Sequence, residues 1–120
     1  TDTDWSKVSS GNSHTTAIKT GGTIWSWGVN SSGQLGLGDK LARSSPTQLG
    51  ALTSWASLAV YGGTRQMAVK TDDTLWVWGN NVQGQHGRGD VVYHSSPVQV
   101  GTDTDWTSLC ATGETTFMLK

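Results

Sequence analysis

The sequence has few charged residues, and those of opposite sign nearly balance. Of its 120 residues, 14% are charged, and the formal net charge at pH 7 is −1. It contains no run of Lys and Arg, so it lacks the basic patch that proteins use to bind nucleic acid. No apolar segment approaches the roughly 20 residues that a membrane-spanning helix needs. We therefore expect neither nucleic acid nor a membrane among its partners.

Cysteine is almost absent. Cys110 stands alone, so the chain can form neither an internal disulfide nor a zinc site built from several thiolates. We expect Cys110 to be a small buried residue of the core. The first residues also lack the charged and apolar segments of a signal peptide, although a processed or excerpted chain would look the same.

Tryptophan and glycine are abundant, and they recur at a fixed period. The chain has 7 Trp and 16 Gly, and the stretch Trp25–Asp39 returns 51 residues later as Trp76–Asp90. A fixed period of this size indicates a repeat architecture. The shared signature of the two stretches consists of Trp25, Trp27, Gly28, Asn30, Gly33, Gln34, Gly36 and Gly38, which correspond to Trp76, Trp78, Gly79, Asn81, Gly84, Gln85, Gly87 and Gly89.

The period divides the chain into two units and the start of a third. We predict a first repeat over residues 1–50, a second over 51–101 and a partial third over 102–120. The third opens with Thr102–Trp106, which repeats Thr1–Trp5 letter for letter.

Each full unit has the pattern of four short strands and no helical periodicity. In the first unit the candidate strands are Trp5–Ser9, Thr15–Lys19, Thr23–Trp27 and Pro46–Leu49, with residues 40–44 as an exposed loop. Trp25 and Trp27 share one face by the period of two. Four short strands per unit of about 50 residues are typical of one blade of a β-propeller. The sequence therefore predicts an all-β propeller made of four-stranded blades.

The units resemble the repeats of the regulator of chromosome condensation family, in its bacterial-type form. The residues that carry this resemblance in the first unit are Gly11, His14, Ala17, Ile18, Gly22, Trp25, Trp27, Gly28, Asn30, Gly33, Gln34, Leu35, Gly36, Gly38 and Pro46. The second unit departs from the pattern at Arg65, Asp73 and His86. The resemblance implies a seven-bladed ring, of which this chain would supply about 2.3 blades. The expected protein partners are therefore further copies of the chain or the remaining blades of a longer one.

The most regular motif has a structural interpretation. The stretch Gly33–Gly38 lacks the Lys and the following helix of a phosphate-binding loop, so we interpret it as a compact turn. Gln34 and Gln85 are expected to hydrogen-bond this turn from inside, and Asp39 and Asp90 to cap it.

No catalytic or metal-binding constellation is evident. None of the three histidines recurs in both units, and no pair of them has metal-ligand spacing; His14 occupies a position of the family's core. With Ser and Thr so common, no nucleophile and base stand out as a pair. We predict no metal, no cofactor and no enzymatic activity.

The two units differ most at positions that we expect in exposed loops. Binding residues concentrate on loops held by a rigid scaffold, and Tyr and Arg are favoured at the centres of interfaces. The candidate partner-binding residues are Tyr61, Arg65, His86, Arg88, Tyr93 and His94.

The hypothesis that follows is a non-enzymatic propeller scaffold for protein–protein interaction or structural assembly. The resemblance implies two alternatives: a nucleotide-exchange regulator of a small GTPase, and an inhibitor of enzymes, because a bacterial relative with this fold inhibits β-lactamases. The low charge and abundant Ser and Thr favour a secreted or surface-exposed setting.

Overall fold

The structure, a computed structural model, describes residues 3–61, 63–112 and 115–119, with side chains over 3–61 and 63–107. These ranges contain β-strands and no helix, and hence no helix that could cross a membrane. The sequence predicted that Cys110 is buried, but its side chain lies outside the described residues. The strands of the first sheet are β1 (Trp5–Ser10), β2 (His14–Lys19), β3 (Ile24–Gly28) and β4 (Arg43–Gln48), paired antiparallel in chain order.

The second unit forms a second sheet with the same order and the same irregularities. Both sheets have a register shift at the start of the first strand and another near the end of the third. The strands are β5 (Trp55–Tyr61), β6 (Arg65–Lys70), β7 (Leu75–Gly79) and β8 (His94–Gln99), followed by a hairpin of β9 (Ser108–Thr112) and β10 (Thr115–Leu119). The repeated sequence thus folds into repeated sheets, as predicted, whereas the division at residues 50 and 101 stays a prediction.

The fourth strand begins earlier than the sequence predicted. Strand β4 starts at Arg43, which pairs with Gly28, whereas residues 40–44 were expected in a loop and Pro46 at the start of a strand. Pro46 lies inside β4, and β4 is an edge strand. Proline is tolerated there because an edge strand has one row of N–H groups without partners in the sheet.

The two sheets pack face to face. Ile18, Ile24 and Leu49 of the first sheet meet Trp55 and Trp78 of the second in one buried apolar cluster. The opposite face of the second sheet carries a second apolar cluster, whose buried members are Tyr61, Met67, Val69, Leu75 and Val77. Strand β5 lies between the first sheet and β9, so the third unit continues the stacking of the first two.

Candidate functional site

The loop between β3 and β4 is organised by one buried asparagine. The Asn30 side chain accepts a hydrogen bond from the Leu35 amide (2.9 Å) and donates to the carbonyls of Asp39 and Leu41, both at 3.0 Å. A buried amide with all these bonds formed holds the loop in one conformation. Asn81 repeats the arrangement with the His86 amide and the Asp90 carbonyl. Asn30 also opens Asn30-Ser31-Ser32, the sequence pattern of a glycosylation acceptor, but its side chain is engaged in the loop, so its role is structural.

Asp39 closes this loop, as the sequence predicted. Its carboxylate accepts a hydrogen bond from the Leu41 amide two residues on (2.9 Å) and pairs with Arg43 at 2.7 Å. The Arg43 hydrogen bond, the Leu41 amide and the Arg43 charge lower the pKa of Asp39, against a smaller opposing effect of desolvation. Asp90 accepts from the Val92 amide in the same way. Gln34 also behaves as predicted, since its side-chain oxygen accepts from the Ser32 amide inside the turn.

The closed loop of the first unit is bound to the second sheet. The indole N–H of Trp78 donates to the Gln34 carbonyl at 3.1 Å, and the Gly38 amide donates to the Ser95 carbonyl at 2.8 Å. Gly36 lies so close to Trp78 that a Cβ there would be 2.8 Å from the indole nitrogen. We call this arrangement the blade joint: the loop of residues 29–42 seated on Trp78 and Ser95.

The equivalent loop of the second unit, residues 80–93, has no such seat within the described part of the chain. A Cβ added at Gly87, the counterpart of Gly36, would meet nothing within 4 Å, although both glycines have positive φ (67° and 72°). On the other side, Trp27 is the counterpart of Trp78 and is partly exposed, whereas Trp78 is 0% exposed beneath its loop. Among the described residues, one blade joint is therefore complete, and the loop of residues 80–93 and Trp27 each form half of another.

Four of the six candidate partner-binding residues are not in exposed loops, and one of them, His94, begins strand β8 with its side chain 17% exposed. Tyr61, Arg65 and His86 are buried, so their expected position in exposed loops is wrong. Arg65 falls on the same face of β6 as Met67 and Val69, which belong to the core beside the third unit. His86 takes the place of Leu35, which is also buried.

The structure brings most of the six together around His86. The His86 and His94 rings are 5.5 Å apart, and the His94 imidazole lies 3.5 Å from the Asp90 carboxylate. Burial, and then the nearby charges of His94, Arg65 and Arg88, lower the pKa of His86 to about 4, with Asp90 opposing. The Arg65 guanidinium lies 5.8 Å from the Tyr61 ring centroid. Their part in binding a partner stays a prediction.

An exposed apolar patch lies beside this cluster. Leu41, Val91 and Val92 are 67%, 62% and 58% exposed. The Lys40 ammonium lies 5.8 Å from the Tyr93 ring centroid, which brings the two loop ends together. The sequence comparison of the two loops identified Tyr93 and missed the others. Exposed apolar residues grouped on neighbouring loops mark an interaction surface more often than isolated ones do.

The described residues contain no group of three or more His, Cys, Asp and Glu placed to hold a metal ion.

Comparison with known proteins identifies the repeats. The family model described as regulator of chromosome condensation (RCC1) repeat matches residues 21–69 and 72–119, and a second model of the same description matches residues 5–34. Each long match begins before the third strand of one sheet and ends in the second strand of the next. The matched unit therefore includes the loop of one blade together with the start of the blade on which that loop sits.

Two curated relatives and one solved structure show how much of a longer protein the chain resembles. The Arabidopsis thaliana ultraviolet-B receptor UVR8 is 33% identical over 93 residues, which cover 77% of this chain and 21% of the receptor. The X-linked retinitis pigmentosa GTPase regulator of Canis lupus familiaris is 34% identical over 100 residues, covering 80% of this chain and 10% of that protein.

The solved structure of Prp20p from Saccharomyces cerevisiae superimposes with a TM-score of 0.82 at 16% identity, covering 98% of this chain and 31% of that one. This likeness confirms the all-β propeller fold, of which the chain forms about two blades.

Proposed function

Because the chain belongs to the regulator of chromosome condensation (RCC1) repeat family, we propose that it is a non-enzymatic propeller scaffold that acts through protein–protein contacts. The observation that carries the proposal is the pair of incomplete blade joints. One loop finds its seat on the next blade, while the other loop and the Trp27 face have no partner blade among the described residues.

The first partners that we propose are further blades, supplied by other copies of the chain or by a longer chain. The loop of residues 80–93 carries the same glycine pattern as the loop that binds Trp78 and Ser95, and the first sheet offers Trp27 and Ser44 at the corresponding positions. Partly exposed tryptophan favours such association, because each buried indole removes on the order of 150–250 Å² from water.

The solution mass of the chain tests this proposal. We expect native mass spectrometry and light scattering to show association that rises with concentration. Gly87→Asn should weaken it, because asparagine tolerates positive φ and its side chain would occupy the surface that a neighbouring blade needs. Gly101→Asn is the matched control, since Gly101 also has positive φ and open space around it. A folded chain that stays monomeric at every concentration would overturn the proposal for copies of the chain.

We further propose that unrelated proteins dock on the exposed patch of Leu41, Val91, Val92 and Tyr93. Prp20p, which has this fold, is described by its binding properties to Gsp1p and histones. The alignment covers 31% of the Prp20p chain, so we infer a protein partner for this chain from the shared fold. Of the six candidate residues, Arg88 and Tyr93 are exposed enough to touch such a partner, whereas His94 is half-buried and Tyr61, Arg65 and His86 are buried.

A second candidate function is regulation of a small GTPase. It is favoured by the 34% identity to a protein named as a GTPase regulator. A nucleotide-release assay over a panel of small GTPases tests it. We expect no stimulation, since residues 49–54 join the two blades without an insertion. Release that is accelerated by the chain and lost in Val92→Asp would favour this function over a passive scaffold.

A further inference from the structure

A cavity of about 400 Å³ lies at the junction of the two sheets. Its apolar wall comes from Leu37 and Leu49 of the first unit and from Leu52, Trp55 and Trp76 of the second. This volume is within the range of small-molecule sites, which combine an apolar lining with a few placed polar groups. Both sheets that form the cavity are complete in the described chain, so its walls do not depend on any further blade.

Lys70 is the one charged residue among those that line the cavity. Its ammonium lies 3.7 Å from the ring centroid of Trp76 and 5.0 Å from that of Trp55. Two indole faces stabilise a cation electrostatically. Lys70 is nevertheless only 9% exposed, and desolvation lowers its pKa.

The first unit contains the same lysine between two tryptophans, but with a carboxylate beside it. Lys19 lies 4.8 Å from the ring centroid of Trp5 and 4.7 Å from that of Trp25, and it pairs with Asp4 at 3.6 Å. Here the ammonium has both the aromatic faces and an anion. In the second unit, Ser54 stands at the position of Asp4.

The backbone around this position is the same in both units. The Thr20 amide donates to the Asp4 carbonyl at 2.8 Å, and the Thr71 amide donates to the Ser54 carbonyl at 2.8 Å. The missing carboxylate therefore reflects the changed side chain and no displacement of the strand. Asp72 is the nearby acid whose charge acts on Lys70, but its carboxylate is bonded to the Thr74 hydroxyl at 2.6 Å. Within the described residues Lys70 forms no ion pair.

We propose that the cavity binds a small organic carboxylate with an apolar body. The carboxylate pairs with Lys70 as Asp4 pairs with Lys19, and the apolar part lies against Leu37, Leu49 and the tryptophans. A buried cation without an anion is unfavourable, so a carboxylate that enters an apolar cavity and pairs with it gains a charge-assisted hydrogen bond. This site is independent of the proposed scaffold function and needs no protein partner.

The binding of 4-phenylbutyrate to the full 120-residue chain tests the proposal, with 4-phenylbutanamide as a probe of the same shape without the charge. Isothermal titration calorimetry and quenching of tryptophan fluorescence supply two readouts. We expect the carboxylate to bind at least about tenfold more tightly than the amide, which corresponds to about 1.4 kcal/mol. Equal affinity for the two probes, or no binding of either, would overturn the proposal.

Two variants test the role of Lys70 from opposite directions. Lys70→Met removes the cation and keeps the length of the side chain, and Ser54→Asp supplies the internal carboxylate that the first unit has. Each should weaken 4-phenylbutyrate binding by about tenfold or more, whereas the matched Lys19→Met should leave it unchanged. Circular dichroism shows whether each variant is folded. If one variant is unfolded, the binding of 4-phenylbutyrate to the other decides the question.

Unchanged binding in a folded Lys70→Met would contradict the proposal. Binding of an acetylated peptide that ends in Phe, without binding of 4-phenylbutyrate, would also contradict the proposal. The occupant of the cavity would then be the C-terminus of a protein.

Discussion

A pair of matched glycine substitutions tests whether the blade joint stabilises the fold. Gly36 and Gly87 occupy the same position of the repeat, and both have left-handed backbone conformations, with φ of 72° and 67°. Alanine pays a similar conformational cost at both, roughly 1–2 kcal/mol. The two sites differ in what surrounds them, so the difference between Gly36→Ala and Gly87→Ala isolates the joint.

The expected difference can be worked out from the contacts. A Cβ at Gly36 would lie 2.5 Å from the Leu49 side chain and 2.8 Å from the Trp78 indole nitrogen, whereas at Gly87 it would meet nothing within 4 Å. Relieving such overlap in a packed core costs roughly 1–3 kcal/mol. Moving the indole away also lengthens its 3.1 Å hydrogen bond to the Gln34 carbonyl, which contributes about 1 kcal/mol. Gly36→Ala should therefore destabilise by roughly 2–4 kcal/mol more than Gly87→Ala.

Urea unfolding of the 120-residue chain in dilute solution measures this difference. With a slope of about 2 kcal/mol per molar urea, the midpoint of Gly36→Ala should lie roughly 1–2 M below that of Gly87→Ala. Tryptophan fluorescence is a suitable probe because Trp78 is fully buried at the joint. Coincident midpoints for the two variants would show that docking of the loop contributes nothing to the free energy of unfolding.

Three further predictions follow from single side chains. Asp73 has φ of 60° where the first unit has glycine, so Asp73→Gly should raise the free energy of unfolding by about 1 kcal/mol in urea titrations; an unchanged or lower value would contradict this. Asn30→Ala removes the buried amide that satisfies the loop and should cost about 3 kcal/mol by the same assay; a cost below that of the exposed Asn12→Ala would contradict it. Burial lowers the pKa of His14 to about 4, so the unfolded state binds more protons between about pH 6.5 and 4. Stability from this group is complete above about pH 6.5 and is lost as the pH falls toward 4, by on the order of 3 kcal/mol; His14→Gln should flatten that dependence, and an identical pH profile for the variant would contradict the assignment.

The repeat made the architecture predictable, because its period aligns strands that are individually weak signals. Strands β2 and β3 begin within one residue of their predicted starts. Strand β4 was placed too late, because Arg43-Ser44-Ser45 has no apolar alternation. An edge strand is held by its backbone pairing with β3 and needs no such pattern. A pairing of this kind is set by the tertiary structure and is not visible in local sequence.

The candidate site was predictable only in part, because residue type suggested exposure. Arginine, histidine and tyrosine are common on surfaces, yet Arg65 shares the core-facing side of β6 with Met67, and His86 replaces a buried leucine. The alignment of Arg65 with the core residue His14 was the signal that could have corrected this. The cavity was missed altogether, although the exchange of Asp4 for Ser54 is visible in the sequence and leaves Lys70 without its carboxylate.

If each glycine-rich loop binds the blade that follows it, an extension of the chain should show this directly. Residues 20–50 of the first unit, appended after Lys120, would complete the third blade with a tryptophan and a serine at the positions of Trp78 and Ser95. The quantity to measure is the loss of unfolding free energy on Gly87→Ala in the 120-residue chain and in the extended chain. We expect Gly87→Ala to lower the free energy of unfolding by roughly 1–2 kcal/mol in the 120-residue chain. In the extended chain it should lower it by about as much as Gly36→Ala does. An equal loss in both chains would contradict it.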